Sequence, residues 1–179
     1  MPRAESTTFT LLKLHGSLNW FYCARCTDLY TNVELAWVID SDKPRENWDF
    51  CHCGVPLRNI MIAPSYLKAY GNAHLASVWR NALTQLKSAA RWVFIGYSLP
   101  PDDYHIRGML LRALRANVDE RRRLDVEVVY CGPDPELVSR YQDLLRLATL
   151  KFNGKGMTGY LGMTPRDDAG SCSDAATPQ

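Results

Sequence analysis

Two pairs of cysteines have the spacing of a metal site. Cys23-Ala-Arg-Cys26 is followed, about two dozen residues later, by Cys51-His-Cys53-Gly. Each pair can supply two thiolates from one tight turn, and a tetrahedral zinc ion takes four such ligands. We therefore predict a zinc site formed by Cys23, Cys26, Cys51 and Cys53. Four thiolates leave no coordination position for water, so the predicted role of this zinc is structural.

The same cysteines are compatible with two different roles. They could be unrelated buried thiols, or Cys23 and Cys26 could form a redox pair. A redox pair starts a helix directly after a strand, whereas the residues from Thr27 onward are not typical of a helix. His52 could replace one thiolate, because histidine is also a common zinc ligand. The paired spacing favours metal binding over the unrelated thiols and the redox pair.

A second group of residues has the chemistry of a nucleotide site. His15 can accept a proton from a sugar hydroxyl as a general base, because its imidazole titrates near neutral pH. The turn Gly96-Tyr97-Ser98 offers main-chain N–H groups and a hydroxyl to a phosphate or ribose. Each could equally have an ordinary structural role, since isolated histidines are usually structural and glycine is common between a strand and a helix. Asp134 has the position of a helix N-cap.

A predicted alternation of strands and helices positions these residues. Helices are predicted over 74–90, from Pro101 and from Asp134, and apolar strands over 9–14, 35–39, 60–63, 91–95 and 126–131. Apolar strands without polar alternation, joined by helices, indicate a parallel α/β sheet. Ligands bind at the carboxyl ends of such strands. His15, Gly96–Ser98 and Gly132–Asp134 all fall at predicted strand ends.

Composition narrows the classes of partner. The 179 residues carry a formal net charge of only +2, which gives no strong electrostatic case for nucleic acid or a membrane. Residues 20–54 hold more acidic than basic side chains, which argues against nucleic acid on that segment. No signal peptide or membrane span is visible, so a cytoplasmic location is expected. In a reducing compartment, clustered cysteines are more often metal ligands than disulfides.

Three smaller features complete the sequence predictions. Cys131 is expected to be a small core residue at the end of a strand, and Cys172 lies in a polar tail, 164–179, that is expected to be disordered. Gly154-Lys-Gly156-Met-Thr-Gly159 matches the glycine pattern of dinucleotide-binding loops. That pattern needs a strand before it and a helix after it. No convincing helix is predicted to follow, so we reject this motif.

The order of the motifs resembles that of the sirtuin superfamily. The motifs are Lys13-Leu14-His15-Gly16-Ser17, the two cysteine pairs, and Phe94-Ile95-Gly96-Tyr97-Ser98-Leu99-Pro100. The similarity is greatest to the divergent prokaryotic sirtuin-like domains and runs from about residue 10 to residue 150. It implies a Rossmann-like NAD-binding domain with a structural zinc-binding insert. It also implies that the bond between nicotinamide and ribose is cleaved, with His15 as general base and with NAD contacts at Gly96, Ser98, Gly132 and Asp134.

The expected fold is therefore α/β, a partial Rossmann-like parallel sheet with helices and a small zinc-ribbon insert. Residues 1–19 and 60–163 are assigned to the NAD-binding domain, 20–59 to the insert and 164–179 to the tail. The family's Gly-Ala-Gly loop and Asn-Ile-Asp segment precede its His-Gly motif, and neither occurs before His15. The chain is thus expected to be a fragment of a longer protein or a degenerate relative.

The resemblance leaves the acceptor of the reaction open. Water would make the protein an NAD hydrolase, and an acyl-lysine protein substrate would make it a deacylase. The alternative from another class is a non-catalytic interaction module that combines a zinc ribbon with NAD binding.

Overall fold

The computed structural model of this chain is a mixed α/β protein whose described residues are 9–31, 50–61 and 73–162. The chain divides into two compact units, one over residues 1–82 and the other over 83–179. The predicted strand over 35–39, the end of the predicted strand over 60–63 and the predicted tail lie outside the described residues.

The first unit contains a three-stranded antiparallel sheet. Its strands are β1 (Gly16–Cys23), β2 (Leu29–Tyr30) and β3 (Leu57–Met61), in the order β2-β1-β3. The pairing of β1 with β3 is interrupted between Ser17 and Phe21, where the Asn59 side-chain amide donates to the carbonyl of Leu18 at 2.7 Å. Such a bulge is how one strand accommodates extra residues.

The predicted strand over 9–14 is wrong, and β1 begins where that strand was expected to end. Phe9 and Leu11 are 86% and 68% exposed, so these apolar residues do not form a buried strand. The N–H of Gly16 donates to the carbonyl of Lys13 at 3.0 Å, and Gly16 has a φ of +78°. Glycine takes this left-handed conformation readily. The resulting turn places His15 before an antiparallel strand and not at the carboxyl end of a parallel one.

The second unit contains the parallel sheet. Strands β4 (Arg91–Ile95), β5 (Asp125–Val129) and β6 (Thr149–Asn153) lie side by side in chain order. The strand predicted over 91–95 is confirmed at those residues, whereas β6 was not predicted, although its polar and apolar residues alternate as in a half-buried strand. Four of the five residues of β5 are buried, as expected for the central strand of a parallel sheet.

Helices connect the strands in the predicted places. Helix α1 (Ala73–Ser88) precedes β4 and spans the division between the units, α2 (Tyr104–Asp119) joins β4 to β5, and α3 (Pro135–Leu144) joins β5 to β6. The apolar faces of α2 and α3 are buried, with Ile106, Met109, Leu110, Ala113 and Leu114 on α2 and Leu137, Tyr141 and Leu144 on α3. This burial holds the helices against the sheet, as the 5.1 Å contact between the rings of Phe94 and Tyr141 illustrates.

Aspartates begin both connecting helices, and the cap predicted at Asp134 is confirmed. The carboxylate of Asp103 accepts from the N–H of Ile106 at 3.4 Å, and that of Asp134 accepts from the N–H of Leu137 at 2.8 Å. Each bond satisfies one of the N–H groups that have no partner inside the helix.

Two further expectations need correction. Cys131 is exposed and not a core residue, because β5 ends at Val129 and Cys131 lies beyond it. The glycine motif at 154–159 follows β6, and a short helix that was not predicted, α4 (Gly156–Tyr160), begins inside the motif and ends one residue beyond it. Sequence periodicity cannot reveal a helix of five residues.

Candidate functional sites

Two reverse turns carry the cysteine pairs. β1 ends at Cys23, and the N–H of Thr27 donates back to the Cys23 carbonyl at 3.0 Å. In the second pair the N–H of Gly54 donates to the Cys51 carbonyl at 2.8 Å. Because β1 and β3 are paired, with Cys23 opposite Leu57, the sheet brings the first turn beside the second.

The four sulfur atoms have separations that suit one metal ion. The Sγ atoms of Cys23 and Cys53 are 3.5 Å apart, those of Cys26 and Cys51 are 3.2 Å apart, and all four lie within 4.8 Å of one another. Thiolates at the usual zinc–sulfur distance in a tetrahedron would be about 3.8 Å apart. The four cysteines could therefore hold a metal ion such as zinc, and the predicted ligands do come together.

The thiols titrate differently from one another. The backbone N–H of Cys26 lowers the pKa of Cys23 against the opposing effect of burial. Burial also opposes ionisation of Cys51, but donation from the backbone N–H of Cys53 and the Tyr30 hydroxyl lowers the pKa of Cys51 to about 6.

The other two thiols resist ionisation. The backbone N–H of Asp28 favours the Cys26 thiolate, yet the Cys51 sulfur and burial raise the pKa of Cys26 overall. The backbone N–H of Val55 likewise favours the Cys53 thiolate, whereas burial and the neighbouring sulfurs raise the pKa of Cys53. Four thiolates this close repel one another, and a bound cation is what would deprotonate all of them.

Three polar side chains surround one side of the cysteine cluster. The Tyr30 hydroxyl donates to Cys51 Sγ at 3.2 Å, and His52 Nδ1 lies 3.3 Å from Asp28 Oδ2. The sequence suggested His52 as a substitute ligand but did not indicate Asp28 or Tyr30. The signals were the position of Asp28 two residues after Cys26 and that of His52 between two cysteines.

The second candidate site is the carboxyl edge of the parallel sheet. Gly96 and Gly132 follow β4 and β5, with φ values of +65° and +74°, and the N–H of Gly96 donates to the carbonyl of Val129 at 3.0 Å. Arg140 links the two turns, since its Nε donates to the Ser98 carbonyl at 3.0 Å and its Nη2 lies 4.0 Å from Asp134 Oδ2. The predicted NAD contacts in this unit are thus brought together.

The third glycine turn lies at the same edge. The N–H of Gly132 donates to the carbonyl of Gly154 at 3.3 Å, and the N–H of Gly156 donates to that of Tyr130 at 2.8 Å. A Cβ on Gly154 would lie 3.5 Å from the Gly132 carbonyl oxygen. The glycine motif at 154–159, which was rejected as a dinucleotide-binding loop, is therefore a close neighbour of the predicted NAD contact at Gly132–Asp134.

Charged and aromatic groups lie around the Gly96–Ser98 turn at this edge. The Tyr97 hydroxyl donates to Asp103 Oδ2 at 2.9 Å, and the Tyr141 hydroxyl donates to the Tyr97 carbonyl at 2.8 Å. Burial, together with the Asp103 carboxylate, raises the pKa of Tyr97 well above its usual range. Arg107, in the first turn of α2, has a buried Nη1 atom with no hydrogen-bond partner in the part of the chain that the structure describes.

His15 belongs to the first unit, in the turn before β1. Its ring stacks on that of Trp79, with centroids 6.4 Å apart and an interplanar angle of 20°. The indole N–H of Trp79 donates to the carbonyl of Leu14 at 2.8 Å, so Trp79 holds both the ring and the backbone of this turn. Beside it, the Lys13 ammonium donates to Ser17 Oγ at 3.0 Å.

Comparison with known proteins adds no family assignment. No model of a known protein family matches the chain, and no curated protein matches it significantly. Among the described residues, no helix is both long and apolar enough to cross a membrane.

Proposed function

We propose that this chain is a sirtuin-like NAD-binding protein, stabilised by zinc, whose reaction is cleavage of the bond between nicotinamide and ribose. The observation that carries the proposal is the meeting of two glycine turns, Gly96–Ser98 and Gly132–Asp134, at the carboxyl ends of adjacent parallel strands. Open α/β sheets bind nucleotides at this edge. The parallel unit is on this view a partial Rossmann-like domain.

The residues at this edge suit the parts of a dinucleotide. Exposed Gly96 and Ser98 leave main-chain groups and a hydroxyl accessible to a ribose or phosphate. Arg107 supplies a further argument, because a buried guanidinium nitrogen that finds no hydrogen-bond partner among the described residues is costly. A phosphate oxygen is an acceptor that would satisfy it.

Zinc is the metal that best suits the cysteine cluster. Four sulfur ligands in tetrahedral separation favour zinc, and a site with four thiolates is structural. Cys23, Cys26, Cys51 and Cys53 would hold the ion and join the two turns, as in a zinc ribbon. The ion would supply folding free energy and take no part in the reaction.

His15 is the proposed general base, and the support for this role is the resemblance of Lys13-Leu14-His15-Gly16-Ser17 to the sirtuin motif. Stacking on Trp79 restrains the plane of the imidazole, which favours proton transfer at a fixed position. The acceptor of the ribosyl group is water in the hydrolase version of the proposal and an acyl-lysine in the deacylase version.

A non-catalytic interaction module is the second candidate. The observation that favours it is that the residues at the sheet edge already have structural tasks. Asp134 caps α3, and the carbonyl of Ser98 is bonded to Arg140. Such a module would bind NAD or a protein partner without consuming NAD.

Release of nicotinamide from NAD by the zinc-loaded full chain distinguishes these functions. We expect release that is abolished in His15→Ala and kept in His105→Ala, a matched histidine control. Release without an acetyl-lysine peptide would indicate a hydrolase, and release only with the peptide would indicate a deacylase. Absence of release in both conditions would contradict the catalytic proposal and favour the interaction module.

A further inference from the structure

A second set of ligands overlaps the cysteine quartet. Cys26, Asp28, Cys51 and His52 each offer one ligand atom, and these four atoms lie within 4.8 Å of one another. Cys26 and Cys51 belong to both sets. Cys23 and Cys53 complete only the first, whereas Asp28 and His52 complete only the second.

Three of the separations in the second set are close to those of ligands around a tetrahedral ion. With usual zinc–ligand distances, nitrogen and oxygen ligands would be about 3.3 Å apart, and sulfur would lie about 3.5 Å from either. His52 Nδ1 is 3.3 Å from Asp28 Oδ2 and 3.5 Å from Cys51 Sγ. Cys26 Sγ is 3.4 Å from Asp28 Oδ2. All three separations agree with the expected values.

Hydrogen bonds explain these contacts less well than coordination of a metal ion does. His52 Nδ1 lies 3.3 to 3.5 Å from three groups, namely Asp28 Oδ2, the Tyr30 hydroxyl and Cys51 Sγ. One ring nitrogen has either one proton or one lone pair for use, so it cannot serve three partners. Hydrogen bonds from nitrogen to oxygen are also usually shorter, about 2.7 to 3.2 Å.

Charge favours a second cation at this position. One zinc ion with four thiolates has a net charge of about −2, and the Asp28 carboxylate lies 3.4 Å from one of these sulfurs. A second divalent ion would offset most of this negative charge. The side chains of Asp28 and His52 are 50% and 69% exposed, so an ion can reach them from solvent.

We propose that the cysteine centre binds two zinc ions that share the Cys26 and Cys51 thiolates. Cys23 and Cys53 complete the coordination of the inner ion, and Asp28 and His52 complete that of the outer ion. The shared sulfurs are 3.2 Å apart, closer than the 3.5 Å between the sulfurs of Cys23 and Cys53. The inner ion is the one in the proposed function, on which this inference rests.

The number of zinc ions per chain tests the proposal. The full chain is loaded with zinc, freed of excess metal by gel filtration and analysed by native mass spectrometry. We expect two ions in the unaltered chain, one in Asp28→Ala and one in His52→Ala. The matched control is Asp102→Ala combined with His105→Ala, in the other unit, which should retain two.

Each remaining outcome has a definite meaning. One ion in the unaltered chain would overturn the shared-thiolate site and leave the structural zinc intact, whereas no ion would overturn both. Two ions in Asp28→Ala and His52→Ala would also overturn the assignment of the outer ligands. A cobalt titration of the unaltered chain gives a second measurement, because visible absorption should change up to two equivalents and not stop at one.

Discussion

The two units of this protein bury different kinds of side chain. Among the described residues, the buried hydrophobic side chains of the first unit are Cys23, Cys51, Leu75 and Ala82. The second unit buries large apolar residues from two of its strands and from its helices and their ends, including Trp92, Leu110, Val126, Val128, Tyr141 and Leu145. Within the described part of the chain, cysteines therefore make up two of the four buried hydrophobic side chains of the first unit, whereas aliphatic and aromatic side chains predominate in the second.

This difference indicates two sources of stability. Burial of large apolar side chains stabilises the second unit, since each contributes about 1.5 to 3 kcal/mol. The buried thiols of the first unit contribute little by packing and much by binding a metal, because a metal that binds only the folded state adds its binding free energy to stability. We therefore expect the units to respond differently to the same treatments.

Loss of a metal ligand should have the largest effect and should be confined to the first unit. Cys23→Ser removes one thiolate, and removal of metal from the unaltered chain by a chelator should have the same consequence. Amide hydrogen exchange is expected to show loss of protection in β1 and β3 and retained protection in β4 and β5. Protection of β1 in the metal-free chain would contradict the proposed role of the metal.

Truncation in the second unit should have the reverse pattern. Tyr141 is fully buried and its hydroxyl bonds the Tyr97 carbonyl, so Tyr141→Ala should lower the free energy of unfolding by about 3 to 5 kcal/mol. Tyr141→Phe, the matched control, removes only the hydrogen bond and should cost about 1 kcal/mol. Denaturant unfolding measures both. A changed metal content in either variant would contradict the expectation that the two units have different sources of stability.

A buried carboxylate, paired with two exposed basic side chains, makes the second unit sensitive to acid. Glu127 on β5 is buried, bonded to Arg91 and 3.5 Å from Lys151. Donation from Arg91, helped by Lys151 and opposed by burial, lowers the pKa of Glu127. The stabilisation is therefore complete above the unfolded pKa of about 4.3 and is lost as the pH falls through the lower folded value.

Glu127→Gln isolates this contribution. The variant should lose about 1 to 2 kcal/mol of stability at neutral pH, since solvent screens partners that are themselves largely exposed. Urea unfolding between pH 6 and pH 2 should show a smaller loss of stability on acidification in the variant than in the unaltered chain. Equal slopes in both chains would show that other carboxylates determine the acid response.

The smallest effect is expected at a helix cap. Asp134→Ala removes the acceptor of the Leu137 N–H and should lower the stability of the second unit by about 1 kcal/mol. Asp134→Asn retains a capping oxygen and should be nearly neutral. A loss of NAD affinity in Asp134→Asn, measured by calorimetry, would show that the carboxylate has a task beyond capping.

Sequence patterns predicted the second unit better than the first. The unbroken apolar run of β4, the helical spacing on α2 and α3 and the aspartate caps are local signals, and the structure agrees with each. β1 was misplaced because the apolar residues 9–14 suggested a strand, whereas the turn at Gly16 and pairing with distant β3 decide where it begins. Pairing partners that are far apart in sequence leave no local pattern.

The same contrast holds for the candidate sites. The cysteine quartet follows from its spacing, because each pair occupies one tight turn. Asp28, Tyr30 and Arg140 could not be identified from sequence, since their roles depend on which turns become neighbours after folding. Their distances to the predicted residues define both sites more closely than the motifs do.

The most direct test of the proposed NAD site is a titration of the ¹⁵N-labelled, zinc-loaded chain with NAD, followed by amide chemical shifts. We predict saturable shifts at Gly96, Ser98 and Gly132, the turns at the carboxyl edge of the parallel sheet. Unchanged amide shifts at these three residues under millimolar NAD, in a chain whose spectrum shows both units folded, would contradict NAD binding at this edge.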